Sequence, residues 1–401
     1  MNVLLVTQYF FPENFKSNDI AFELTKKGYK VDVLCGIPNY PQGKYYKGYT
    51  FFRKRIEMIN HVKVYRAFQF PRGKGNLRLA LNYISYVFSA CFWILYFSFF
   101  KSYDCIIVHA PSPITQGLPA ILLSKLKCIP LYFWVLDLWP DALRSGGGIK
   151  SEKILKIVDK LVIFIYKNCD KILISSKKFS DAICQKGDFK DKIIYFPNWS
   201  EDVFYNNSDS RIPELPNGFK IMLAGNLGKS QNLDSVMDAA LLTKDDKRIK
   251  WILLGDGSKK SWLDAFIREN DLSNTVFALG RYPIETMPSF YKQANAMLLT
   301  LRSDFPHLKL VVPARLQSYM AVGRPVIGMI EGGGADIILE SECGYVVDAM
   351  DSKALVQLLY EKVFPSLSDF ELKGQKGREY FMENFSKEKC INHLISIIKC
   401  N

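Results

Sequence analysis

FKIMLAGNLGKSQNL, residues 219–233, reads as a buried strand that runs into two glycines and then into a helix. Phe219–Leu223 is almost continuously apolar, as expected of a parallel strand covered on both faces. Gly225 and Gly228 follow it and let the backbone approach an anion closely, with Lys229 nearby. An ordinary strand-to-helix turn would use the same residues, and spacing alone does not choose between the two. A Walker-type phosphate loop needs a glycine five positions before Gly228, where Leu223 stands, so that match fails.

Downstream, the same rhythm predicts strands at Trp251–Leu254, Thr275–Leu279, Ala296–Leu299, Pro325–Met329 and Tyr345–Val347. LLGDG at 253–257 is a second strand-to-glycine turn. Gly332, Gly333 and Gly334, followed by ADIILE, offer a helix start with bare backbone N–H groups. Three glycine turns at strand ends imply a ligand at the carboxyl edge of this sheet, a nucleotide or a phosphate. Upstream, the polar stretch Asn206–Gly218 suits a linker. Before it lie strand candidates at Val3–Thr7, Val31–Cys35, Val62–Phe68, Cys105–His109, Pro130–Leu136, Lys171–Ser175 and Ile193–Phe196. Helices separate them, such as Asn18–Lys27 with an Asn cap and a stop at Gly28. The expected architecture is two doubly wound α/β halves with a cleft between them. QYFFPENF after the first strand carries no GxGxxG, which disfavours a dehydrogenase.

The 401 residues are 48% hydrophobic and 23% charged, which excludes a disordered or collagen-like chain. The excess of Lys+Arg over Asp+Glu is 53 − 40 = +13, which favours anionic partners. Basic residues are spread without a nucleic-acid module, so no nucleic-acid partner is expected. The nine cysteines form no CxxC pair and read as reduced thiols of a cytosolic protein. MNVLLVTQYFFPE reads as a first strand and not as a signal peptide.

Leu79–Phe100 has 22 positions without a charge, and nine of its last 18 residues are aromatic. Arg72, Lys74 and Arg78 precede it and Lys101 follows. Its length allows a bilayer span. Yet Val3–Thr7 and Cys105–His109 should share one sheet, and a span between them would part them. A helix lying on a membrane surface, with basic residues at lipid phosphates, fits better. A helix buried against the sheet with one apolar face is the alternative.

VLDLWPD at 135–141 ends a strand with Asp137 and Asp141 around a Trp-Pro. Such carboxylates serve as a base or hold sugar hydroxyls, or else cap a turn. Trp139 stacks on a sugar or packs under the loop. Four scattered histidines and the lack of any Asp-x-Asp argue against a metal site. A diphosphate would then rest on backbone N–H groups and on Lys or Arg. Arg315, after Pro313 at an expected helix start, is the best-placed cation, Lys229 the second, while Arg324 is expected to stay solvated.

These residues resemble the family 4 glycosyltransferases of GT-B fold, and within them the WbuB-type, L-fucosamine transferase-like enzymes of O-antigen and capsule synthesis. The resemblance runs through QYFFPE (8–13), GYKVDVL (28–34), GIPNYPQGKYYKGY (36–49), DLWPD (137–141) and FPNWSEDVF (196–204). It continues through LAGNLGKSQNL (223–233), LLGDG, LGRYPIETMPSFY (279–291), VPARLQSYMAVGRPVIG (312–328) and EGGGADII. It implies a retaining transferase, two Rossmann-like domains facing across a cleft, a UDP-sugar donor and an undecaprenyl-diphosphate-linked acceptor. The sugar would be an N-acetylated hexosamine or deoxyhexosamine. The protein would sit peripherally on the cytoplasmic face of a bacterial inner membrane, attached through Leu79–Phe100. Residues 1–200 would bind the acceptor, with a last helix in 386–401 crossing back, and 201–385 the nucleotide sugar. No cofactor or metal is implied.

Residue by residue, the resemblance implies catalytic roles for Asp137 and Arg315. Gly225, Asn226 and Gly228 would hold the diphosphate with Arg315, Lys229 would be a substitute cation, Gly255 would join the substrate-binding set, and Gly280, Arg281 and Tyr282 would sit against the base. Gly332, Gly333 and Gly334 would approach the donor. Glu13, Asn18, Trp139 and Asp141 join the substrate-binding set. The family's Glu-x7-Glu is replaced by Leu310 and Ser318, so Gln317 is the candidate for the ribose. The family's catalytic histidine position is taken by Asp137. Two other classes stay open: a GT-B-fold sugar-nucleotide epimerase and a catalytically inactive, membrane-bound assembly partner.

Overall fold

The computed structural model describes residues 1–73, 75–146, 151–205 and 210–400. Lys74 and the first part of the expected linker, 206–209, lie outside them. The chain divides into two α/β units, one from Met1 to Phe196 and one from Pro197 to Cys390, and returns to the first at Ile391.

The first unit runs β1 (Asn2–Val6), α1 (Lys16–Lys26), β2 (Lys30–Gly36), β3 (Ile56–Ile59), β4 (Val62–Ala67), α2 (Asn76–Phe100) and β5 (Cys105–Ala110). It continues with α3 (Gly117–Lys127), β6 (Leu131–Val135), α4 (Asp141–Gly146), α5 (Glu152–Lys167), β7 (Lys171–Ile174), α6 (Phe179–Cys184) and β8 (Ile193–Tyr195). The sheet order is β3-β4-β2-β1-β5-β6-β7-β8. Its central strands are buried but for Asn2 at the start of β1, which accounts for their continuous apolar runs. Strand order reverses between β1 and β5, where Val3 pairs with Cys105.

Two details differ from the sequence expectation. β3 is an antiparallel edge strand on β4, so this sheet is mixed. α1 begins at Lys16, and Asn18 lies inside it; Asn18 Oδ1 accepts from Phe11 N at 2.9 Å and its Nδ2 donates to the Glu13 carbonyl at 2.8 Å. Asn18 thus ties down the segment before the helix and does not cap it.

α2 commits one face to its own unit. Asn82, Tyr86, Ala90, Ile94 and Phe97 recur at helical spacing, are fully buried, and pack on β2, β4 and α3. Tyr86 Oη donates to the Thr7 carbonyl at 3.1 Å, and Trp93 Nε1 to the Arg66 carbonyl at 3.1 Å. Burying Phe97 alone contributes about 2 kcal/mol. The opposite face, with Leu77, Phe88, Phe92 and Phe99, is exposed.

The second unit runs β9 (Phe219–Ala224), α7 (Leu233–Leu242), β10 (Ile249–Leu254), α8 (Lys260–Glu269), β11 (Val276–Gly280), α9 (Met287–Gln293) and β12 (Ala296–Thr300). It continues with α10 (Ala314–Val322), β13 (Val326–Met329), α11 (Gly333–Glu340), β14 (Gly344–Val347), α12 (Ser352–Leu358) and α13 (Leu367–Asn384); α14 (Lys387–Lys399) follows. The sheet, β11-β10-β9-β12-β13-β14, is parallel throughout and reverses order between β9 and β12. Core layers lie on both its faces: Met222, Ile252 and Leu299 point into one, Leu223, Trp251 and Leu298 into the other.

Candidate active site

At the carboxyl end of β9 the chain turns at Gly225, whose φ of 123° favours glycine. Gly255, after β10, has a φ of 138°, and a Cβ built there would stand 1.8 Å from the Gly225 carbonyl oxygen. The two turns therefore stack backbone on backbone. Gly225 N donates to the Leu254 carbonyl at 2.8 Å and Gly255 N to the Gly280 carbonyl at 2.7 Å, which ties three strand ends together. Beside them opens a cavity of about 370 Å³, lined by Gly225, Asn226, Gly255, Asp256, Arg281 and Tyr282 among others.

α10 brings the charge. Tyr319 Oη accepts from Ala224 N at 3.1 Å and lies 3.3 Å from the Ala224 carbonyl, which pins the helix to the end of β9. Arg315, one turn earlier on the same helix face, is thereby laid against the turn. A Cβ at Gly225 would be 3.3 Å from Arg315 Nη2. Arg315 Nη1 is buried with no hydrogen-bond partner among the described residues. A half-buried guanidinium over a glycine turn, beside a cavity at the carboxyl ends of β9, β10 and β11, is the chemistry of an anion site.

The other expected residues of this unit divide. Asn226, Gly255, Arg281 and Tyr282 line the cavity, and Tyr282 stacks edge-on to Phe290 at 4.7 Å. Gly280 closes β11 with a φ of 80°. Gly228 is buried, and a Cβ there would be 2.9 Å from Asn226 Nδ2, so it makes room for that side chain. Lys229 is exposed in the 3-10 turn Lys229–Gln231 and does not line the cavity. Gly332 needs to be glycine because a Cβ would meet the Lys309 carbonyl oxygen at 1.8 Å. Gly333 and Gly334 are buried, and the smallness of Gly334 makes room for Ile330 and Pro313. Gln317 is buried, and its amide nitrogen, turned to meet acceptors, lies 3.0 Å from the Ala314 carbonyl and 3.2 Å from that of Pro313. Its N–H donors are taken up at the start of its own helix. Ser318, at the family's second Glu position, accepts from Ser200 Oγ at 3.0 Å. Arg324 is not solvated: its guanidinium donates to the Lys292 carbonyl.

In the first unit, Asp137 follows β6. It stays open to solvent at its surface, but the protein crowds it enough that lost hydration raises its carboxyl to about 7. Trp139 is buried under the loop, and Asp141 opens α4. Glu13 is buried. Its Oε1 accepts from Asn39 N at 2.7 Å and Tyr40 N at 2.6 Å, while Oε2 has no partner among the described residues. Burial raises Glu13 to about 7, against the opposing pull of these N–H groups and of Arg66. Three residues were missed in the sequence. His109, near the end of β5, is buried, 3.4 Å from Thr7 Oγ1 through Nδ1 and unpartnered at Nε2 among the described residues. Burial, with Lys16 adding to it, pushes its pKa down to about 3, so the imidazole is neutral. Arg72 lies over the Tyr40 ring at 5.4 Å and faces Tyr9, and Tyr83 senses both Arg72 and Asp137. The signal for His109 was its place at a strand's carboxyl end; nothing local marked Arg72 or Tyr83.

Residues 207–361 match the family model "Glycosyl transferases group 1". Over its full length the chain superposes on Anabaena HepE, solved in complex with UDP, at a TM-score of 0.73, covering 100% of both chains at 13% identity. The protein is a glycosyltransferase of GT-B fold. This glycosyltransferase is 26% identical over 316 residues to WcaI of Escherichia coli (strain K12), named as a glycosyl transferase of colanic acid biosynthesis, covering 75% of each chain. It is 23% identical over 348 residues to WbjE of Pseudomonas aeruginosa, named as a glycosyltransferase, covering 82% of this chain and 84% of that one.

Proposed function

We propose that this glycosyltransferase moves a sugar from a UDP-linked donor to a lipid-linked saccharide in the synthesis of a bacterial surface polysaccharide, with retention at the anomeric carbon. The observation that carries the donor reading is Arg315 laid against Gly225 beside the cavity of the second unit. UDP in the HepE complex and the polysaccharide role in the name of WcaI support it. The resemblance to WbuB-type enzymes supports an N-acetylated hexosamine or deoxyhexosamine as the sugar and undecaprenyl diphosphate as the carrier.

In this reading the bond between the anomeric carbon and the diphosphate oxygen breaks, and the acceptor hydroxyl oxygen bonds to that carbon from the same face. Arg315 and the backbone N–H groups of the stacked turns hold the charge that grows on the departing diphosphate. Arg281 and Tyr282 face the uracil. The acceptor's proton passes to the leaving oxygen or to Asp137, whose carboxyl near 7 suits that transfer. The first unit holds the acceptor, and the protein works at the cytoplasmic face of the inner membrane.

The test is calorimetric titration of the purified protein with UDP, GDP, ADP and NAD. Selective UDP binding that weakens in Arg315→Ala is the expected result. Failure to bind any nucleotide would overturn the donor reading and favour an inactive assembly partner.

A further inference from the structure

Beside α2, in the first unit, lies a hollow of about 680 Å³ that no part of the donor site uses. Its walls are Phe51, Phe68, Phe88, Phe92, Trp93 and Tyr96. Phe88 and Phe92 stand on the exposed face of α2, 69% and 74% open to solvent. Leu77, Leu81, Ile84, Leu95 and Phe99 extend that face along the helix. Apolar surface of this extent, left bare, marks a place of interaction.

The charge around it selects the occupant. Between residues 39 and 101 the sequence holds eleven Lys and Arg and one carboxylate, Glu57; Lys101 pairs with Asp32, outside this stretch, at 3.0 Å. Glu57 is already paired with the buried Arg66 at 2.6 Å. Arg55, which lines the hollow, donates to two carbonyls: Nε to that of Arg66 at 2.6 Å and Nη1 to that of Phe51 at 3.0 Å. Its charge is not neutralised by them. α2 itself opens without a side-chain cap and without an acidic residue in its first turn. Such a surface repels cations and proteins of like charge and attracts an anionic lipid.

The hollow also connects to polar chemistry. From Phe68 on its wall the chain runs through Phe70, edge-on to Phe68 at 5.0 Å, to Arg72. The Arg72 guanidinium lies over the Tyr40 ring and faces the buried Tyr9 hydroxyl, and Glu13 Oε2 is buried without a partner among the described residues. Apolar groove and cation thus lie within five residues of chain, Phe68 to Arg72, and the cation meets Tyr9 and Tyr40 from other segments.

We propose that the hollow takes the hydrocarbon chain of a phosphorylated lipid, whose phosphate is held by Arg72 while the exposed face of α2 lies in the surface of an anionic bilayer. The lipid is the carrier of the acceptor, so the proposal rests on the lipid-linked reading above and gives it a site.

The experiment is co-sedimentation of the full chain with three vesicles: phosphatidylcholine, phosphatidylcholine with phosphatidylglycerol, and the latter with added polyprenyl phosphate. Wild type should bind the second better than the first and the third better than the second. Phe88→Ser with Phe92→Ser, at positions too exposed to carry the core, should weaken binding to the second and third about tenfold. Arg72→Gln should lose only the gain from polyprenyl phosphate. UDP titration of every variant should match wild type, which shows that each is folded. Equal gain in Arg72→Gln, or unchanged binding of the double variant, overturns the proposal. So does wild type that ignores all vesicles, an outcome that would assign the α2 face to a protein partner. Transfer that requires a lipid-linked acceptor yet is untouched in the double variant sinks the hollow alone. Transfer to a water-soluble saccharide at the full rate sinks the lipid-linked reading itself.

Discussion

Arg315 and Gly225 share one small volume: a methyl group on residue 225 would stand 3.3 Å from Arg315 Nη2. The contact exists because Tyr319, one helical turn on, bonds the Ala224 backbone. Strand end, glycine and guanidinium thus form a single part.

Arg315→Ala should lower turnover roughly 10²–10³-fold, the usual loss when one group stabilising a leaving anion is removed. Thermal unfolding should change little, because the Tyr319 hydroxyl that Arg315 touches stays bonded to the Ala224 backbone. Arg315→Lys should recover only part of the rate, since an ammonium lacks the fork. Steady-state kinetics beside a melting curve decide it, and near-normal turnover in Arg315→Ala would refute the assignment.

Gly255→Ala and Gly280→Ala should behave differently, although both glycines have positive φ. At 255 the methyl meets the Gly225 carbonyl oxygen at 1.8 Å, while at 280 nothing lies within 4 Å. The second change should cost about 1 kcal/mol from backbone conformation alone. The first must move the stacked turns as well and should cost several times that, with loss of UDP binding. Equal melting temperatures in the two variants would contradict the stacking.

Glu13 carries a pH signature. Its carboxyl is raised from 4.5 to about 7 by burial, so the folded state keeps a proton that the unfolded chain has released. That stability is fully present below pH 4.5 and is lost as pH rises through 7. The loss amounts to about 3 kcal/mol. Glu13→Gln keeps an oxygen for Asn39 N and Tyr40 N and removes the ionisation. Its melting temperature should fall less than that of wild type between about pH 5 and about pH 8. Parallel slopes would show that Glu13 does not titrate in this window.

Asp137 as the acceptor's base predicts a kcat/KM that climbs with pH through about 7, as its carboxyl ionises. Asp137→Asn should abolish that climb and lower the plateau about 10²-fold. A climb that persists in the variant belongs to another group.

Both sheets were legible in the sequence wherever strands are buried on two faces, because such strands are apolar at every position. β3 escaped notice: IEMI is short and half exposed, and an edge strand needs no apolar run. The glycine turns after β9 and β10 were legible because positive φ selects glycine. The glycines at 332–334 looked the same, yet two of them are buried, and Gly334 makes room for Ile330 and Pro313. Gln317 and Lys229 were plausible by charge and polarity. One is buried on its own helix and the other is exposed and does not line the cavity.

By itself the sequence determined the order of strands and helices, the turns that need glycine, the anion-seeking charge and the apolar length of α2. These are local properties, carried by periodicity and composition over a few turns. Only the tertiary structure decided that Arg315 reaches Gly225, that His109 is held neutral beside Thr7, and that α2 buries one face and bares the other. Those outcomes depend on which distant segments meet at a strand end. A side chain's chemistry there is set by neighbours that the local pattern does not encode.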